Sequence, residues 1–580
     1  MTSSEFLKSS PKIVLADGRD GAAAGLRVEG VWQGDLWRGR LINAGGKPQA
    51  IKEIVLFGGQ LPVPPETAFY GEGYQKLSQY SGTIALPKCI GGYTDKDHYK
   101  LPQTPGAFTV YSLLLLGPAQ GRYILAAFTS CRRFSGEFRL WPDGRAEIVL
   151  AAEGIVIESG EAWELEEFFV QEGPDREALL AAAGEQIARN HPPLPFAPVP
   201  TGWCSWYYYG PNITEADIRE NLDAMTARIP QLKYVQIDDG YQTHMGDWLT
   251  PAPGFGDALL PLLGEIRRRG LEPAIWVGPF IASEASELFR THPEYFVQDA
   301  AGKPLRSDTI SFGGWRDAPW YMLDGTHPGA QAYLERVFRT MRREWGCTYF
   351  KLDANSWGAI PGGVHHDRKA TSIEAYRRGM AAVLRGAEDA FVLGCNAPMW
   401  GSLGLVHGMR VTNDIGRSWG SFKAIATELF HRNWQHGRLW INDPDCVVLE
   451  NTPGATATAD EYRFHMTMIY ACAGMVLSGD KLSILSQESI AILKKLVPPP
   501  PAAATFEDAT FRLGVIDLPD KRMACLFNWT DEPITIDVPL PRAAKLRDFW
   551  TGEDLGRHGG SYRSEAIAPH GAQLVECMWT

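Results

Sequence analysis

The spacing of apolar positions changes twice along the chain. From residue 1 to about 195, short apolar runs recur between Gly, Pro and Asp turns: Ile51–Phe57, Phe108–Leu116, Tyr123–Phe128 and Ala146–Leu150. That spacing predicts a β-sandwich. One helical pattern, Arg176–Asn190, closes the region, and the Pro-rich stretch 192–200 marks a seam. From 196 to 497 eight strand-like runs appear: Thr201–Trp206, Tyr234–Asp239, Pro273–Pro279, Tyr349–Asn355, Phe391–Asn396, Met409–Asp414, Leu439–Asp445 and Gly474–Asp480. Helical patterns fall between several of them, at Glu215–Arg228, Leu259–Arg269, Gly329–Trp345 and Ser372–Glu388. Eight β/α units in roughly 290 residues predict a (β/α)8 TIM barrel. A second Pro run, Pro498–Pro501, opens the final region, 498–580, where Met523–Phe527, Thr535–Val538 and Gln573–Glu576 predict a small antiparallel β-sandwich.

Nearly every barrel run ends on or near a polar or aromatic residue: Trp206, Asp238 and Asp239, Trp276, Asp353, Asn396, Asp414, Asp445, Asp480. Asp and Asn at single strand ends also serve as turn formers and helix caps. As a set they converge on one pocket, because barrel chemistry sits at the C-terminal ends of the strands. Strand alternation puts Lys351 and Asp353 on one face, and Arg410, Thr412 and Asp414 on another. An ammonium near Asp353 keeps it ionised, as a nucleophile requires. A second carboxyl, Asp414, opposite the first is the constellation of glycoside hydrolysis. The plainer reading of Lys351–Asp353 is a structural ion pair. Adjacent Asp238 and Asp239 repel and need donors, which sugar hydroxyls supply; a capping pair or a metal site are the alternatives.

Other features carry less. His365-His366-Asp367 lacks the spacing of a metal cluster, and Cys395 has no nearby His to activate it as a nucleophile. Tyr207-Tyr208-Tyr209 serves either as aromatic pocket wall or as packing. No Walker loop or post-strand GxGxxG occurs, which leaves nucleotide binding without support.

Composition narrows the function further. The formal charge is −12, against binding of nucleic acid or an acidic membrane. The 19 Trp residues suit a protein that stacks sugar rings, although a large core also uses some. Nine widely spaced cysteines without a CxxC pair read as reduced thiols of a cytoplasmic protein. The segment MTSSEFLKSSPKIVLADGRD has no secretory h-region, and no apolar run approaches the ~18 residues of a membrane span. Oligomeric state is not legible in the sequence.

Seven stretches carry a family resemblance: GWCSWY (202–207), QIDDGY (236–241), IWVGPF (275–280), YFKLD (349–353), LGCNAP (393–398), GMRVTND (408–414) and NDPDC (442–446). They occur in family order over about 250 residues, and the chain resembles the α-galactosidases of glycoside hydrolase family 36, in the clan shared with family 27. The resemblance implies an N-terminal β-supersandwich (1–195), a catalytic barrel (196–497) and a C-terminal β-sandwich (498–580). It implies a retaining exo-α-galactosidase acting on oligosaccharides, with Asp353 as nucleophile and Asp414 as acid/base, and no metal or organic cofactor. Asp238 and Asp239 would hold O4 and O6, Lys351 would contact O3 or O4, and Arg410 would bind near O2. Trp206 and Trp276 would wall the −1 pocket, Cys395 and Asn396 would line it beside C2, and Asp445 would orient its neighbours. The chain departs from the family in three places. Tyr74, in YGEGYQ, stands where relatives bring a Trp into the pocket; Asn413 precedes the acid/base; Asn396 follows the pocket Cys. Two readings within the superfamily therefore stay open, an α-N-acetylgalactosaminidase and a raffinose-synthase-like α-galactosyltransferase, with a non-catalytic sugar-binding protein as the reading from another class.

Overall fold

Eight short parallel strands form the centre of the molecule: β1 (Thr201–Cys204), β2 (Tyr234–Ile237), β3 (Glu272–Val277), β4 (Tyr349–Leu352), β5 (Phe391–Gly394), β6 (Gly408–Arg410), β7 (Ile441–Asp443) and β8 (Val476–Ser478). This is a computed structural model, and it describes residues 7–119 and 121–580. The first six residues of the N-terminal segment, on which the absence of a leader was partly read, lie outside it. Strand order is β7-β6-β5-β4-β3-β2-β1-β8. Closure comes just past β7, where Val447 N–H donates to Leu477 O at 2.8 Å and Gly479 N–H donates to Val447 O at 2.8 Å. The strands are almost wholly buried, because barrel interior and surrounding helices cover both faces.

The helices run at Glu215–Arg228, Leu259–Arg268, Pro328–Arg343, Ser372–Ala387, Trp419–Arg432, Ala459–Cys472 and Gln487–Lys495. Three begin with a complete capping box: Thr214–Asp217, Thr371–Glu374 and Thr458–Glu461. Each box satisfies two backbone N–H groups that the first helical turn leaves unpaired. The β5–β6 connection is crossed by a 3₁₀ turn, Trp400–Ser402. The β3–β4 connection is long and carries its own hairpin, Ile281–Ser283 paired with Trp320–Met322. Its loop at 311–319 is thereby placed over the mouth of the barrel.

Every barrel strand ends earlier than the apolar pattern suggests. The chain turns sharply instead: Ala354, Asn396 and Asp445 have φ of 55°, 40° and 75°. Non-glycine residues in that left-handed region are strained, and such strain gathers at functional sites. The polar residues after the strands therefore sit on turns.

The N-terminal region is two antiparallel sheets, of five and nine strands, facing each other across an apolar core. The larger sheet is covered on both sides. Leu114, Leu116 and Phe128 point to the sandwich core, whereas Leu113, Leu115 and Leu125 join the barrel core. This two-sided burial explains the unbroken apolar runs there. The run Phe108–Leu116, expected as one strand, is two: Phe108–Tyr111 lies in the five-stranded sheet and Leu113–Ala119 in the nine-stranded one. The switch occurs at Ser112, where φ is 62°. At the C-terminal end six antiparallel strands, Thr505–Phe506 through Ala572–Trp579, surround a small core containing Leu526, Val538 and Leu546. Their opposite face packs Met523, Cys525 and Phe527 on the barrel.

Candidate active site

At the C-terminal ends of the strands lies a cavity of about 640 Å³, a volume typical of small-ligand sites. Trp206 and Tyr207 follow β1, Asp238 and Asp239 follow β2, Trp276 comes from β3, Lys351 comes from β4 and Asp353 follows it, Asn396 follows β5, and Asn413 and Asp414 follow β6; all of these line it. Both principal carboxyls thus face one cavity. The rim is aromatic: Tyr93 and His98 arrive from the N-terminal region, Phe312 and Trp315 from the β3–β4 loop.

Asp353 is held at both oxygens. Oδ1 accepts from Asn396 Nδ2 at 2.8 Å and from the Ala354 N–H at 2.7 Å, and Oδ2 accepts from Trp276 Nε1 at 3.1 Å. Charge-assisted bonds of this kind fix a carboxylate's orientation. Lys351, expected on Asp353, turns instead to Asp238 Oδ2 at 2.9 Å. The two side chains share a face as alternation requires, but the buried ammonium settles on the neighbouring strand's carboxylate. Burial disfavours the charged form of Lys351, yet Asp238 and the other anions around it hold its proton well above the ordinary lysine range.

Asp414 meets two cations. Its Oδ1 lies 2.9 Å from Arg410 Nη2 and 3.2 Å from Lys76 Nζ. Its side chain is 64% exposed, toward the cavity. Enclosure within the barrel mouth pushes the carboxyl up, but Lys76 and Arg410 outweigh it and hold the group below the ordinary carboxylate range. The preceding Asn413 is pinned to Glu428, its N–H donating to Oε2 at 2.6 Å and its Nδ2 to Oε1 at 2.5 Å. Arg410 also pairs with Asp445, which accepts from the Tyr207 hydroxyl and, at 2.7 Å, from the Ile415 N–H. Burial raises the Asp445 carboxyl, and Arg410 works against that rise.

Asp239 is engaged by Arg316 and by Gln242 Nε2 at 2.7 Å. Asp238 accepts from Gln236 Nε2 at 2.7 Å in addition to Lys351. Both carboxylates therefore hold protein donors while still lining the cavity.

Three residues expected in the site lie behind the wall. Cys395, Arg410 and Asp445 are 1–3% exposed and are not among the lining residues. Arg410 is turned away by its own ion pairs. Cys395 is packed into the core, where burial pushes its thiol up to about 12. Tyr74 likewise does not reach the cavity: it is buried and donates its hydroxyl to Ala359 O, and Leu77 is the residue of this segment that lines the cavity, with Lys76 buried behind it. The His365-His366-Asp367 run is spent on structure, with His365 on Asp324 at 3.2 Å and Asp367 on Arg378 at 2.6 Å. Among the described residues no group of three His, Cys, Asp or Glu side chains is placed to hold a metal. Three of the nineteen Trp residues, Trp206, Trp276 and Trp315, line the cavity; most of the others are core. Sequence reasoning missed Lys76, Leu77, Tyr93, His98, Phe312, Trp315 and Arg316. They come from segments far away in the chain and carry no local motif, although Gly-Gly-Trp-Arg at 313–316 sets two glycines of positive φ beside an exposed aromatic.

Residues 233–391 match the Melibiase family model, and residues 515–577 match that of the α-galactosidase C-terminal β-sandwich domain. An A type blood α-D-galactosamine galactosaminidase from Flavonifractor plautii is 34% identical over 154 residues, 26% of this chain and 14% of that protein. The chain spans 9–22% of the length of four curated relatives that it matches. Among solved structures, the GH36 α-galactosidase AgaA from Geobacillus stearothermophilus superimposes with a TM-score of 0.68 at 13% identity, covering 99% of this chain and 90% of that one. A GH27 β-L-arabinopyranosidase from the same organism gives 0.54 at 19%, covering 66% and 96%. The shared architecture is the α-galactosidase type of TIM barrel with flanking β domains.

Proposed function

We propose that this chain is a retaining exo-α-galactosidase with the domain plan of glycoside hydrolase family 36, divided at about 195 and 497. The observation that carries the reading is that Asp353 and Asp414 face one cavity at the barrel mouth. In the proposed cycle Asp353 attacks the anomeric carbon as the glycosidic C–O bond breaks, and Asp414 protonates the departing oxygen. Asp414 then takes a proton from water, whose oxygen attacks the same carbon and releases Asp353. The ionised state in which Lys76 and Arg410 hold Asp414 is the form required of a base; the acid step needs it to bind a proton first. Asp238, Asp239 and Lys351 supply acceptors and a donor for sugar hydroxyls. The family 36 plan is supported by near-complete coverage, including the N-terminal region, whose Tyr93 and His98 supply part of the rim. No helix of the described residues is long and apolar enough to cross a membrane, and all nine cysteines are free; the free thiols support a cytoplasmic enzyme.

A second reading is favoured by the galactosaminidase match: a substrate with nitrogen at C2. Hydrolysis of p-nitrophenyl α-galactoside should exceed that of its N-acetyl and 2-amino analogues, with α-galactose as the first product by NMR. Faster hydrolysis of a 2-amino substrate would move the assignment to that class. Release of β-galactose first would refute retention, and galactose binding without turnover of any of the three would favour the non-catalytic reading.

A further inference from the structure

We infer that Lys76, delivered to the barrel by the N-terminal region, is a positioning residue for the acid/base: its buried ammonium holds Asp414 and governs when that carboxyl carries a proton. This rests on the acid/base reading of Asp414 given above.

The geometry is asymmetric. Lys76 is 0% exposed, whereas the Asp414 side chain it meets at 3.2 Å is 64% exposed to the cavity. Where both partners of an ion pair are buried, each compensates the other's lost hydration. Here the cation alone is buried, and among the described residues Asp414 is its one ion-pair partner. The desolvated ammonium is thus aimed at a carboxylate that remains open to a ligand. Its placement is also enforced. Arg432 Nη1 donates to Lys76 O at 2.7 Å and to Val411 O at 2.7 Å, and the same guanidinium pairs with Glu72 at 2.7 Å. One buried arginine therefore joins the segment bearing Lys76 to the loop bearing Asp414.

Other charges also face this pair. Arg410 touches Asp414 and opposes a charge on Lys76, Lys351 acts from β4, and Asp353 and Cys395 favour the lysine's charge. Asp445 and Tyr207 are engaged with Arg410. Lys76 is the member of this set that reaches Asp414 from outside the barrel. Deleting its charge removes a cation at 3.2 Å and leaves Arg410, so the Asp414 carboxyl retains its proton to higher pH.

The test is the pH dependence of kcat/KM on melibiose, a poor leaving-group substrate, for wild type, K76M and K76R. The alkaline limb, where the acid loses its proton, should move up by about one unit or more in K76M, since removing a close charge shifts a pKa on that scale. It should stay near wild type in K76R, and the acid limb, governed by Asp353, should move less than the alkaline limb in K76M, because Asp353 lies outside contact with Lys76. A K76M profile that superimposes on wild type, or a change in KM alone, would overturn the proposal. Should K76M not fold, K76Q is read in the same way; if neither folds while K76R does, Lys76 is structural and the proposal fails. D414A separates this from the underlying reading: if its loss is the same on melibiose and on 2,4-dinitrophenyl α-galactoside, Asp414 is not the acid, whatever Lys76 does.

Discussion

Trp276 donates its indole N–H to Asp353 Oδ2 at 3.1 Å, across the parallel register in which Trp276 pairs with Lys351. The barrel wall itself thus orients the proposed nucleophile. Trp276→Phe keeps an aromatic ring and removes the donor. A hydrogen bond to a charged group contributes about 1.5–3 kcal/mol. The expected outcome is a fall in kcat/KM of roughly ten- to hundredfold, measured on p-nitrophenyl α-galactoside.

Asp353→Asn retains the shape of the carboxylate and removes its nucleophilicity. Turnover should be nearly abolished, while galactose binding measured by calorimetry persists. Near-normal kcat in this variant would assign the nucleophile elsewhere.

Asp414→Ala should separate substrates by leaving group. Natural oligosaccharides need proton donation and should lose about 10²–10⁴-fold in kcat, the usual span of general acid catalysis. An aryl galactoside with an acidic phenol should lose far less in the glycosylation step, read from single-turnover kinetics.

Arg432 and Glu72 are both 0% exposed and pair at 2.7 Å between the barrel and the N-terminal region. Removing one partner leaves a buried charge uncompensated, at a cost of about 3–5 kcal/mol. Arg432→Met should lower the urea midpoint accordingly, while an exposed control, Arg306→Met, changes it little.

Acid should destabilise the fold below about pH 6.5, the ordinary histidine range. Burial lowers His407 and His436 to about 4 and His465 to about 3. Each ring accepts a backbone N–H, from Val392, Asn442 and Val448, at 3.1–3.2 Å, which requires a neutral nitrogen. Their folded pKa values are depressed, so this stabilisation is complete above the unfolded histidine value and is lost as pH falls toward 4. Asp480, which burial raises to about 6, acts oppositely: its contribution is present at low pH and lost as pH rises from about 4 to 6. The histidine contribution is read by difference: between pH 7 and 5 the urea midpoint of His407→Asn should show a shallower fall than that of wild type.

Periodicity along the chain determined the barrel strands, four of the helices between them, and the β-rich character of both ends, because each of these patterns is local. The helix Glu215–Arg228, for example, begins and ends where its apolar spacing and its Thr214 cap require. Polar strand ends also marked the barrel mouth, since only that end collects Asp and Asn after apolar runs. Tertiary structure decided which charge meets which. Lys351 and Asp353 share a strand face, yet Lys351 bonds to Asp238, because a buried ammonium seeks the nearest carboxylate in space. Alternation could not follow Arg410 to Asp414, for the strand ends at Arg410 and a loop supplies the carboxyl. The meeting of Lys76 with Asp414 spans 338 positions, and no local pattern encodes a contact that exists only once two regions dock.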